Sequence, residues 1–164
     1  MTIQRDPRAT DITDADLEQQ FKLSMQIRDS TDRANKTVVQ IRAVDQQIQK
    51  RGSQANDASI AAEASAIKAK LDELEQRLYQ VKNRSPRDTL NYPIKLNNQL
   101  AVLQELVDEG KHRPTDQDYV VFRQLSATLE TIVDHVDHVF RTDLRAFNQR
   151  LAKVHLEPVS VPTR

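Results

Sequence analysis

The run Asp134-His135-Val136-Asp137-His138 is the one place where residue types and spacing suggest chemistry. Two histidines at i, i+3 on a helix could share a divalent metal. With Ile132, Val136 and Val139 as the core-facing line, His135 sits about 60° off that line and His138 about 120° off, at 100° per residue. Both then point to the rim or to solvent. A di-metal site inside a bundle also needs Glu-x-x-His on two helices and inward glutamates on two others. The only such pair is Glu109 with His112, and Gly110 interrupts it. His135 and His138 therefore read as a solvated face, and no metal or cofactor is expected. Other chemistries lack their parts. There is no cysteine and no G-x-S-x-G, and the two glycines, Gly52 and Gly110, are too far apart to build a phosphate-cradling loop. The expectation is a chain that is not an enzyme. A metal-dependent hydrolase centred on the two histidines is the catalytic rival.

Charge excludes further classes. Twenty-four basic and 24 acidic residues cancel, and no block of five like charges occurs, so no nucleic-acid partner is expected. No apolar run approaches the roughly 18 residues of a membrane span, so no membrane insertion is expected. The start, MTIQRDPRAT, lacks the apolar stretch of a signal peptide. The segment NRSPRDTLNYPIKLNN is unusual for a connector. Its residues Asn91, Tyr92, Pro93, Lys95, Asn97 and Asn98 form the candidate interaction patch, and the asparagines could also satisfy backbone groups left open by a broken helix. Tyr79, Tyr92 and Tyr119 fall near helix ends, where such rings commonly seal a bundle.

The elements that position these residues are helices. Residues 1–12, with Asp6-Pro7-Arg8, read as a linker or the end of an upstream β segment. Thr13 with Asp16 makes a capping-box start, and Ile12 with Leu17 a staple. The first helix carries the line Leu17, Phe21, Met25, Arg28, Thr31, Ala34, Val38, Ile41, Asp45 and Ile48, and is expected to close at Gly52 after about 38 residues, roughly 57 Å. The second shows the cleanest heptad: Ile60, Ala64, Ile67, Leu71, Leu74, Leu78 and Val81. Pro86 and Pro93 break it, with Pro93 suited to the first turn of a third helix that carries Leu96, Leu100, Leu103 and Val107 up to Gly110. Thr115 with Asp118 caps a fourth, which runs through Phe122, Leu125, Leu129, Ile132, Val136, Val139 or Phe140, Asp143 or Leu144, and Phe147 to Leu151. The tail LEPVSVPTR has no period and is expected to be extended or disordered over 156–164.

These lengths predict an all-α protein: an antiparallel up-and-down bundle of four helices, two long and two shorter, over residues 13–155. Three long rods with a broken middle rod remain the alternative. Single apolar stripes must pack on one another, because none can bury itself.

The stretch LYQVKNRSPRDTLNYPIKLNNQLAVLQELVDEG with RPTDQDYVVFRQLSATLETIVDHV resembles the C-terminal region of large bacterial BNR-repeat, sortilin-like β-propeller proteins, often labelled glycosyl hydrolase-like. The opening IQRDPRATDITDADLEQQFKLSMQIRD is similar to the junction that precedes that region. The resemblance covers about residues 3 to 151, and its most specific part runs from Leu90 to Leu100. It implies a non-catalytic accessory domain that packs, spaces or oligomerises a larger exported protein in the periplasm or outside the cell. No catalytic residue of such proteins maps onto this chain, which has no S-x-D-x-G-x-T-W box and no tryptophan. The expected partners are other domains of the parent polypeptide or the chain itself as a homodimer. A stand-alone homo-oligomeric coiled-coil adaptor is the alternative.

Overall fold

The structure, a computed structural model, describes residues 12–109 and 112–163. The expectations for residues 1–11 and for Gly110 lie outside these. Helix α1 spans Asp14–Gln54 and starts on the expected box: the Asp16 amide donates to Thr13 Oγ1 at 3.2 Å and the Thr13 amide to Asp16 Oδ2 at 3.0 Å. Helix α2 spans Ala58–Leu78 behind an Asp57 cap. A 3₁₀ turn, Pro86–Leu90, leads to α3, Leu96–Glu109. Helix α4, Asp116–Arg141, repeats the capping box with Thr115 and Asp118, and α5 spans Asp143–Lys153. The regular elements among the described residues are all helices, packed as one bundle, as the periodicity requires.

Pairings along α1 decide between the two arrangements. Moving from its C-terminal to its N-terminal end, Gly52 meets Ala64, Asp45 meets Lys68, and Arg42 meets Glu75 of α2. Asn35 then meets Asn97, Ser24 meets Gln104, and Gln20 meets the Val107 carbonyl of α3. The two shorter helices thus stand end to end along α1, which at 1.5 Å per residue is roughly 60 Å long. Helix α4 returns beside α1 and both shorter helices, with Arg33 of α1 paired to Glu130, and α5 continues it along α2, with Lys70 on Asp143 and Arg150 on Glu63. Three rods with a broken middle rod are present. Burying one side of each helix removes Leu71, Leu100, Leu129, Ile132 and Phe147 from water, and each such side chain contributes about 1.5–3 kcal/mol.

Several local expectations are corrected. On α1 the buried residues of the N-terminal half are Leu23, Ser24, Ile27 and Ala34, while Phe21 is 64% exposed. The inward line is Leu23, Ile27, Ser30, Ala34, Thr37, Ile41, Val44 and Ile48, a 4-3 repeat buried throughout except at half-buried Ser30, and Arg28, Thr31 and Asp45 of the expected line lie off it. Thr37 fits there because its hydroxyl donates to the Arg33 carbonyl at 2.8 Å. Gly52 does not end α1. It is buried inside the helix and does not adopt a left-handed conformation; a Cβ there would lie 2.9 Å from the Ala64 Cβ, so its role is close approach of α2. The left-handed residue past the end is Asn56, φ 48°.

Helix α2 stops at Leu78, which leaves Val81 exposed. Pro93 precedes α3 without entering it. The expected fourth helix, the third rod, has a one-residue interruption at Thr142, whose hydroxyl and amide both donate to the His138 carbonyl, at 2.7 and 2.9 Å. Competition of this kind bends helices without ending them, and the line resumes at Leu144, Phe147 and Leu151. The tail is extended and docked on the bundle, with Val159 only 4% exposed.

Candidate functional site

The structure separates the sequence candidates rather than gathering them. His135 and His138 are both exposed on α4. Among the described residues no group of three or more His, Asp and Glu side chains could hold a metal ion. Two solvent-facing imidazoles on one helix face offer a metal no third protein ligand there.

The joint between α2 and α3 is built as a clip. Buried Gln80 donates from Nε2 to the Pro93 carbonyl at 2.8 Å and accepts the Lys82 amide at 3.3 Å. Asp88 gathers the Arg84 and Ser85 amides at 2.6 and 2.8 Å, and those bonds hold its carboxyl below the ordinary aspartate range. Lys82 lies over the Tyr92 ring, 5.6 Å from its centroid. Asn97 is buried, donates to Asn35 Oδ1 at 3.3 Å and accepts the Asn98 amide at 2.8 Å. Within the candidate patch, Asn97 is the residue shown to satisfy a backbone amide and to tie α3 to α1, while the backbone groups of the joint are held by Gln80 and Asp88. Asn91 and Pro93 are exposed, while Tyr92, Lys95 and Asn98 are half-buried.

Next to that joint lies an apolar groove between α3 and α4. Ile94, Val102 and Leu106 line one wall and Val121 and Leu125 the other, around an open volume of about 390 Å³. Val102 is 44% and Leu106 56% exposed, and Leu90 on the adjoining turn is 87% exposed. Sequence reasoning reached Ile94 only through the joint and missed Val102 and Leu106. The signal available was an excess: α3 carries two apolar residues at i, i+4 outside its own core line of Leu96, Leu100, Leu103 and Val107.

The helices themselves bear no span: among the described residues none is long and apolar enough to cross a membrane. Comparison with family models, with curated proteins and with solved structures finds no match. The β-propeller resemblance gains nothing from these comparisons.

Proposed function

We propose that this chain is a non-catalytic interaction module whose α3–α4 groove pairs with the same groove of a second copy. The observation that carries this reading is the exposed apolar pair Val102 and Leu106 on α3. Half-buried Lys95, just before the helix, and exposed Val102 and Glu109 recur every seven residues, a step that keeps them on one side. In an antiparallel pairing centred on Val102, Lys95 at one end meets Glu109 of the second copy, and Leu106 enters the facing groove. Opposite charges at the rim set the register, while the apolar wall supplies the association energy. The accessory role beside an exported β-propeller, which the resemblance implies, would use the bundle as an oligomerising or spacing appendage.

Sedimentation velocity over a wide concentration range tests the pairing. The native chain should gain mass with concentration, and Leu106→Asp should remain a monomer. Lys95→Glu should weaken association, and adding Glu109→Lys should restore it. A native chain that stays monomeric at every concentration overturns the reading.

A further inference from the structure

The C-terminal segment is held like a ligand. Val159 is buried, and its amide and carbonyl are both taken by the Asn148 carboxamide, at 2.8 and 2.9 Å. Ser160 presents the same pair of groups to the Gln47 carboxamide, at 3.0 and 2.9 Å. Consecutive residues of an extended chain point their backbone groups to opposite sides, so α5 grips one side through Asn148 and α1 the other through Gln47. Gln40 Nε2 donates to the Pro162 carbonyl at 2.7 Å, and Arg51 holds the Glu157 carbonyl at 3.0 Å and its carboxylate at 2.7 Å. Gln40, Gln47 and Arg51 lie on one line of α1, within about 40° of arc at 100° per residue. The segment runs antiparallel to that helix.

Almost everything gripped is backbone. Only Val159 is read as a buried side chain, and Pro158 and Pro162 stand where no amide is used, so proline can stiffen the segment without losing a bond. Two bidentate carboxamides, one apolar socket and an arginine make a general receptor for an extended peptide. We propose that the α1–α5 groove is a peptide-binding site occupied in cis by the chain's own Glu157–Pro162, and that it accepts in trans the same segment of a second copy. The ligand class is an extended segment with an acid, a proline and a small β-branched residue in sequence, followed by a second proline. The hinge sits at His155, whose left-handed φ of 58° turns the chain back after Lys153.

The test uses chains of all 164 residues that each carry Leu106→Asp, so that association through the α3–α4 groove does not contribute. Val159→Asp evicts the resident segment and leaves the groove, whereas Gln47→Ala with Asn148→Ala disables the groove and frees an intact segment. Each variant alone should stay monomeric. Mixed, they should form a one-to-one complex, and a labelled LEPVSVPTR peptide should bind the Val159→Asp chain at least about tenfold more tightly than the chain with its own segment in place, which competes at an effective concentration on the order of millimolar. Ser160→Pro, which removes one amide without placing a charge in the socket, serves in place of Val159→Asp if circular dichroism shows that variant unfolded. Folded, evicted chains that form no mixed complex and bind the peptide no better than the parent overturn the proposal.

Discussion

The two ends of the bundle solve one problem differently. Three packed rods leave grooves between neighbours, because each helix buries only one side. At the end built from α2, α5 and the C-terminal half of α1, the groove beside α5 is filled by the extended tail, and Val159 closes it. At the other end, where α3 and α4 flank the N-terminal half of α1, the groove is lined by Val102, Leu106, Val121 and Leu125 and stays open. The first groove reads backbone through Asn148 and Gln47. The second has apolar walls, with Gln99, Gln117 and Asp118 beside them, and no segment of the described chain fills it. The two grooves differ in what their polar groups meet: Asn148 and Gln47 hold the backbone of an extended segment, whereas the walls of the α3–α4 groove stay open.

The largest expected effect contrasts a core residue with a groove residue. Leu71→Asp places a carboxylate where no water reaches, and should lower stability by about 4 kcal/mol in urea unfolding. Leu106→Asp, in the open groove, should shift the same measurement by no more than about 0.5 kcal/mol while abolishing self-association. Equal losses would erase the distinction between the ends. Gly52→Ala comes next. Helix propensity favours alanine by roughly 1 kcal/mol, but the new Cβ would meet the Ala64 Cβ at 2.9 Å, and both belong to packed helices that yield little. A net loss of about 1 kcal/mol is expected in thermal unfolding.

His155→Gly should act in the opposite direction. Glycine enters the left-handed region without the Cβ penalty, so the tail's hinge should gain up to about 1 kcal/mol, read as a higher melting temperature and slower amide exchange at Val159 and Ser160. An unchanged hinge would mean that the turn is held elsewhere.

Acid should have the mildest effect at the ends of the helices. Thr13 hydrogen bonds lower the Asp16 pKa, Ser59 and Ile60 bonds lower that of Asp57, and the Arg84 and Ser85 amides lower that of Asp88. Carboxyls depressed in the folded state contribute stability above the unfolded value of about 3.9 and lose it as pH falls through the folded values. Melting temperature should therefore drop below about pH 4, and Asp16→Asn with Asp57→Asn and Asp88→Asn should flatten that drop.

Local signals in the chain carried the elements themselves. Thr13 with Asp16 and Thr115 with Asp118 cap helices because a side-chain oxygen three residues from an open amide needs no distant partner. Ile60, Ala64, Ile67, Leu71, Leu74 and Leu78 are buried because their spacing leaves one side of α2 to pack. The exposed positions of His135 and His138 followed from the same 100° steps.

Tertiary structure decided the rest. Which of two overlapping lines on α1 faces inward depends on what packs there, and α3 chose Leu23 and Ile27 over Phe21. Gly52 resembles a terminator until Ala64 is seen against it. Gln47 and Asn148 are unremarkable polar residues a hundred positions apart in sequence until one extended segment lies between them. Periodicity records how far a helix is one-sided, whereas partners far along the chain determine which side closes and which groove remains open.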